Sequence, residues 1–385
     1  MMFLAVTAVL LVYAVFILWM RRGLQKLEPG SSQTVQPDVS VIIAAKDEAL
    51  NIPRLLAALR EQSYPQDRLE VIVVDDGSSD DTHLILSLQA RKMNNLKPVR
   101  IDYTPTGWGP KKWALTKAIG QARGEIILAT DADCLPGSRW VETLVRYFTD
   151  PSIGMVFGPS PLVVERWNLW WEALFLDSCA VDALAAAGAG CGLALTCTGR
   201  NLAYRRAAFE EVGGFQGVKH FVSGDDDLLM QKMAATGRWK INFAHVTDAL
   251  VPSPPPSTLG AFVRQRLRFA SKGRYYFVLD TGPWFKLILP FIYLANLAAL
   301  TSLVVFPATL NPVWIVPLAV KLGAEGLLVY SYLHKLNQRV RVGTFILTGL
   351  IHPVYVVLFG ALGNMRNVVW KGRRYEGSRV SARRK

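Results

Sequence analysis

Cysteine and charge are both scarce in this chain. Its 385 residues include four cysteines, and charged residues make up 19% of the total. Cys134, Cys179, Cys191 and Cys197 show no paired metal-ligand spacing, which leaves reduced, buried thiols of a cytosolic domain as the expectation. No stretch has the basic-aromatic pattern of a nucleic-acid module, so the net charge of +13 does not point to nucleic acid. The segment from Met1 to Met20 contains no charge and ends in Arg21-Arg22. It lacks the basic start and small-residue cleavage site of a secretory signal, so a retained membrane anchor is expected over residues 1–22.

What the chain does have is apolar surface, at 51% of residues. Besides the anchor, the excess falls in residues 284–363, in three runs near the roughly 20 residues needed to cross a bilayer. Basic residues flank these runs, crowd 264–274 and fill the tail, where 364–385 holds eight Lys/Arg against Glu376. That placement reads as cytoplasmic orientation and attraction to anionic lipid. With the anchor's basic flank inside, 284–309 goes out and 312–333 returns. A third full span over 342–363 would put the basic tail outside. A re-entrant hairpin broken at Ile351-His352-Pro353 would keep it in the cytoplasm, and this is the expectation. Lys321 and Glu325 share a helical face within the second run, either as a functional pair or as a self-neutralising one.

Between anchor and membrane runs, a polar linker over 23–37 precedes alternating strand-like and helix-like segments, the signal of a largely parallel sheet. Strands are expected at 39–44, 70–74 and 125–130, with a short one from Arg100 to Tyr103. Helices are expected near 50–62, 82–93 and 111–122. Residues 167–198 are rich in tryptophan, then in small apolar residues. Glu172, Asp177 and Asp182 argue there against a membrane span and for a surface-lying, acceptor-lining or core helix.

Acidic clusters end the strand-like runs. Val71-Ile72-Val73-Val74 leads into Asp75-Asp76-Gly77-Ser78, and Ile126-Ile127-Leu128-Ala129-Thr130 into Asp131-Ala132-Asp133. Gly224-Asp225-Asp226-Asp227-Leu228 and Gln265-Arg266-Leu267-Arg268-Phe269 follow. Ligands of open α/β sheets bind outside the carboxyl ends of the strands, so these acids converge on one crevice. Two acids one residue apart can hold a hard divalent cation, and a cation there suits a diphosphate.

With Val39 to Glu48 as first strand and loop, the ordered series over 38–270 resembles the family 2 glycosyltransferases, inverting enzymes of the GT-A fold. The resemblance implies an α/β chain: a Rossmann-like GT-A catalytic domain with a mainly parallel sheet, plus α-helical transmembrane segments. The implied division is 1–22 anchor, 23–37 linker, 38–270 GT-A domain, 284–363 membrane helices and 364–385 basic tail. It assigns Asp76 to the nucleoside base, Asp131 to the nucleotide, Asp133 to a Mg2+ or Mn2+ ion, and Lys111 to the donor site. Aligning Asp227-Leu228 with the family's acid-Leu pair makes Asp225 the general base. Asp226 is the alternative, placed on the acceptor side. Asp75, Asp80 and Asp81 remain as turn and helix caps. Gln265 and Arg268 would meet the diphosphate, and Phe269 stands on the acceptor side where the family usually has Trp. The tail from Trp370 to Tyr375 resembles the carboxyl end of ceramide- and carotenoid-type glucosyltransferases.

The expected activity is transfer of a sugar from an NDP-sugar, UDP foremost, to the hydroxyl of a membrane lipid. The enzyme would be an integral protein of a bacterial cytoplasmic membrane with its catalytic domain inside. A processive polysaccharide synthase is the main alternative, and a non-catalytic membrane scaffold the alternative of another class. The sugar, the acceptor lipid and the oligomeric state are not legible at this level.

Overall fold

The computed structural model describes residues 1–32, 35–163, 168–277, 279, 281–363, 368–370 and 373–375. From the amino terminus run α1 (Met2–Lys26), β1 (Val39–Ala45), α2 (Ile52–Arg60), β2 (Leu69–Asp75), α3 (Thr82–Ala90), β3 (Leu96–Arg100), α4 (Pro110–Ile119) and β4 (Ile126–Ala129). Next come α5 (Trp140–Val145), β5 (Ile153–Phe157), α6 (Leu169–Gly190), β6 (Leu202–Arg205), α7 (Arg206–Glu211), α8 (Asp227–Ala235), β7 (Lys240–Phe243) and α9 (Leu259–Ala270). Helices α10 (Pro283–Thr309), α11 (Ile315–Lys335) and α12 (Val342–Gly363) follow, then the short strands β8 (Val368–Trp370) and β9 (Arg373–Tyr375), paired antiparallel.

Contacts divide these elements into two units. One joins Met1–Leu27, Val164–Leu195 and Pro255–Arg366, and the other Glu28–Val163, Thr196–Pro254 and Asn367–Lys385. This differs from one continuous domain over 38–270, because α6 and α9 group with the apolar helices. Their polar side chains find partners there, as described below.

The second unit holds a seven-stranded sheet in the order β3-β2-β1-β4-β6-β5-β7. β1, β2, β3 and β4 run parallel, and β6 alone runs against its neighbours β4 and β5. β1 and β2 are covered on both faces, which explains their continuous apolar runs. Leu55, Leu56 and Leu59 of α2 pack into the core with Val41, Ile43 and Val73. Between the strands, buried Glu70 accepts from Ser40 Oγ at 2.5 Å, Lys97 Nζ at 2.5 Å and Arg123 N at 2.6 Å. β3 lies four residues earlier than the expected Arg100–Tyr103 strand. It contains Pro98, tolerable because β3 is an edge strand.

Among the described residues, the first unit contains five helices long and apolar enough to cross a membrane: α1, α6, α10, the Pro312–Lys335 segment that includes α11, and α12. By length and composition α6 qualifies, unlike the sequence expectation. Its acids are paired within the unit. Asp177 takes the Arg266 guanidinium and the Tyr355 hydroxyl, Asp182 lies 3.5 Å from Tyr332 Oη, and Glu172 accepts from Arg341 N at 3.2 Å. Lys321 and Glu325 do form an ion pair, at 2.7 Å, and Glu325 also accepts from Tyr13 Oη at 2.8 Å. α1 and α6 approach at glycines, since a Cβ on Gly23 would sit 2.1 Å from Ala187 O.

The expected break at Ile351-His352-Pro353 is corrected: α12 is one continuous helix through Pro353. An interior proline withdraws one backbone donor, here from the carbonyl of Gly349, and a long apolar helix tolerates that loss. The basic tail falls outside the described residues except for β8 and β9.

Candidate active site

At the carboxyl edge of the sheet, β2 ends in Asp75 and β4 leads into Asp131. The order of strands in the sheet places β1 between β2 and β4, the reversal point at which such sheets bind ligands. α4 begins at Pro110, whose fixed φ suits a first helical turn. That start delivers Lys111 to two carboxylates, with Nζ 2.7 Å from Asp131 Oδ1 and 2.8 Å from Asp225 Oδ2. Burial alone would depress the ammonium, but Asp131 and Asp225 outweigh it and hold Lys111 above the ordinary lysine value. Three residues that are far apart in sequence thus form one charge cluster.

The three adjacent acids around Asp225 have different geometries. Gly224 turns the chain at φ +86°, with no room for a Cβ beside Leu228. Asp225 then pairs with Lys111. Asp226 caps α8, its Oδ1 accepting from Asp227 N at 2.7 Å and its Oδ2 from Gly199 N at 2.9 Å. Asp227 Oδ1 accepts from Leu228 N at 2.8 Å. Gly199 belongs to the Thr198-Gly199-Arg200-Asn201 stretch, and a Cβ there would lie 3.1 Å from Asp225 Oδ2.

Asp133 is pushed above its ordinary value, first by burial and then by Asp131 and Glu48. Among the described residues, no group of three or more His, Cys, Asp or Glu side chains forms a metal cage. A half-buried carboxylate crowded by two others is a negative site with oxygen donors, and this fits a hard divalent cation whose remaining ligands come from phosphate and water. Arg200 partly offsets that charge. It is held by Thr198 Oγ1 at 3.1 Å, Ser160 O at 3.1 Å and the Ser253 hydroxyl. Neighbouring Cys134 is buried and its thiol is pushed up, so it stays protonated.

Asp76 is buried on the β2 loop, with Thr104 Oγ1 3.5 Å from its Oδ1. Lys46 Nζ ties down the carbonyls of Asp76 and Gly77 at 2.9 and 3.1 Å. Asp75 accepts from Ser78 N, and Asp80 from Thr82 N and Ala49 N, the work of turn and helix caps. Asp81 occupies the N-cap position of α3 without a side-chain bond. Gln265, Arg268 and Phe269 lie on α9 in the helical unit, where the Arg268 guanidinium stacks 5.0 Å from the Phe269 ring. They are not members of the Lys111 cluster, whose contacts are internal to the sheet unit.

Sequence reasoning gave no role to Glu48, Arg200 or Lys112. The first two act on Asp133 through space, which spacing does not reveal. Lys112 had a visible signal only in its adjacency to Lys111.

Residues 40–213 match the family model described as Glycosyl transferase family 2. Among curated relatives, Probable glycosyltransferase YdaM of Bacillus subtilis is 30% identical over 256 residues, covering 65% of this chain and 59% of that protein. Beta-monoglucosyldiacylglycerol synthase of Synechocystis is 29% identical over 262 residues, covering 66% of this chain and 52% of that protein. The chain therefore spans little more than half the length of these two relatives. Among solved structures, the mannosyltransferase PcManGT from Pyrobaculum calidifontis, in complex with GDP-Man and Mn2+, superposes with a TM-score of 0.63. It is 23% identical, with 94% of this chain and 98% of that one covered, a likeness of fold. The mainly parallel sheet, the acids at its carboxyl edge and these matches agree: residues 40–213 match the family 2 glycosyltransferases, on a GT-A-like fold.

Proposed function

We propose that the chain is a membrane-bound inverting glycosyltransferase, moving one sugar from an NDP-sugar, UDP foremost, to the hydroxyl of a membrane lipid. The observation that carries this reading is the Lys111 bridge, which holds Asp131 of the β4 loop and Asp225 of the α8 loop together at the edge of the sheet. Asp225 serves as general base, taking the proton of the acceptor hydroxyl. The freed oxygen attacks the anomeric carbon from the face opposite the leaving group. The bond from that carbon to the diphosphate breaks, its electron pair goes to the departing phosphate oxygen, and the sugar is inverted. Lys111 offers its charge to the donor diphosphate, which leaves the Asp225 carboxylate free to accept. Asp76 holds the nucleoside base and Asp131 the nucleotide. Gln265 and Arg268 act on the diphosphate, for which a guanidinium fork is well shaped. A divalent cation such as Mg2+ or Mn2+, held through Asp133, would neutralise charge developing on the leaving diphosphate.

The lipid acceptor is supported by the five long apolar helices, by basic α9 preceding α10 in one unit, and by the name of the Synechocystis relative. Phe269 in place of Trp counts against a processive synthase, since the indole platform for a growing sugar chain is missing. We place the sheet unit in the cytoplasm and read the chain as 1–22 anchor, 38–270 catalytic segment and 284–363 membrane helices. We keep the basic tail on that side as well, as its Lys/Arg excess expects. That requires an even number of crossings between Pro255 and Arg366, where α10, α11 and α12 lie, so one of the three does not complete a crossing. Reporter fusions after Gly377 test this: an external tail would overturn it.

The decisive experiment assays nucleotide release by full-length protein in native lipid extract, across a panel of NDP-sugars, with and without Mg2+ or Mn2+. Metal-dependent release with label entering the organic phase supports the reading, and Asp225→Asn should cut turnover to a small residual rate while nucleotide binding persists. Label in water-soluble polymer would replace it with a synthase, and binding without turnover by any donor with a scaffold.

A further inference from the structure

The first turn of α4 carries two adjacent lysines with different surroundings. Lys111 meets the carboxylates. Lys112 is fully buried, and its Nζ donates to Phe221 O at 2.9 Å and to Ser223 O at 2.7 Å. Gly109 N adds a bond to Lys219 O at 2.7 Å. The two segments approach so closely that a Cβ on Gly109 would lie 2.5 Å from Phe221 O. The stretch 219–223 is therefore tied to the start of α4 at three points, just before Gly224 turns the chain into Asp225. α4 thus holds the carboxylate of Asp225 through Lys111 and the backbone leading to it through Lys112.

A buried ammonium is stable only with its hydrogen bonds made, so Lys112 and these carbonyls fix each other. Charge-assisted bonds are also the stronger kind, which suits them to holding a loop in one place. We propose that Lys112 is a positioning residue for the transfer reaction, setting where Asp225 stands relative to Lys111 and Asp131 without touching donor or acceptor. The proposal rests on Asp225 being the general base. A displacement of about 1 Å can cost about a hundredfold in rate, so the expected effect of losing the tether is on kcat.

The test uses full-length protein in lipid and three variants: Lys112→Met, Asp225→Asn and the double variant. Lys112→Met should lower kcat by about 10- to 100-fold. Donor KM and nucleotide affinity by calorimetry should stay within about twofold, because uniform binding is untouched. If Lys112 acts through Asp225, the double variant should show the residual rate of Asp225→Asn alone. Loss of nucleotide binding in Lys112→Met would make Lys112 a residue of the fold and overturn the proposal. So would unchanged kcat, or a further full drop in the double variant. Full activity of Asp225→Asn would instead overturn the base assignment on which the proposal stands.

Discussion

Removing one partner of the Arg266–Asp177 pair should destabilise the helical unit strongly, whereas removing both charges together should not. The Asp177 side chain is 5% exposed and that of Arg266 14%, so neither charge keeps enough water to stand alone. The carboxylate also accepts from Tyr355, and the guanidinium sits 5.0 Å from the Phe262 ring. Breaking a buried pair from one side costs about 3–5 kcal/mol, while replacing both members by uncharged groups of similar volume is often neutral. In Arg266→Met, Asp177 keeps its Tyr355 donor, so the lower figure of about 3 kcal/mol is expected. Asp177→Asn leaves the guanidinium among aromatic rings without a counter-charge, and a similar cost follows. The double variant retains an amide acceptor for Tyr355 and carries neither charge, so it should lie within about 1 kcal/mol of wild type. The coupling in the cycle would then be about 5 kcal/mol. Reversible unfolding in mixed micelles, followed by tryptophan fluorescence, measures all four proteins. If each single variant costs less than about 1 kcal/mol, or the double variant costs their sum, the pair is solvated and does not hold α6, α9 and α12 together.

Gly224→Ala should lower stability by about 1–3 kcal/mol and reduce turnover, since its φ of +86° and the 2.6 Å approach of Leu228 both exclude a side chain. Chemical unfolding together with transfer assays checks this, and a silent variant would refute the turn's role in presenting Asp225. Gly23→Leu should separate α1 from α6 and lower the unfolding midpoint in micelles, whereas wild-type behaviour would show that the contact with Ala187 O yields easily. Burial pushes the Glu70 carboxyl up, but the bonds from Lys97, Ser40 and Arg123 N outweigh it and hold it below its ordinary value. A depressed folded pKa contributes stability above the unfolded value of about 4.3, and this is lost as pH falls through the lower folded value. Wild type should therefore lose stability more steeply than Glu70→Gln between about pH 5 and 3. Parallel curves would refute the assignment.

What was legible in the sequence follows from what local chemistry encodes. Strands buried on both faces read as unbroken apolar runs, so β1, β2 and β4 and the acids after them could be placed closely. β3 sits at Leu96–Arg100 and not at Arg100–Tyr103, an edge strand whose partly exposed residues leave no continuous apolar run to mark it. α6 is ambiguous in sequence because its acids count against an apolar environment, and their hydrogen-bonding partners Arg266, Tyr332 and Arg341 are 89, 150 and 169 residues away. Pro353 suggests a break because sequence shows the missing donor but not the continuity of the helix around it.

The acidic triplet shows the same limit within the site. Composition gives Asp225, Asp226 and Asp227 equal chemistry, and only backbone direction separates them. Gly224 sets that direction, Gly199 makes room for it, and Asp226 spends its two oxygens on the amides of Asp227 and Gly199. Once a carboxylate caps a helix it is anchored to the backbone and poorly placed to follow a substrate proton. Asp225 is bound instead to the Lys111 ammonium, a side chain and not a backbone amide, and under the proposed function it would exchange that partner as the donor diphosphate takes the ammonium. The division between fixed and exchangeable carboxylates is what makes Asp225 the stronger candidate for the base, and it rests on hydrogen-bond direction, which no spacing rule contains.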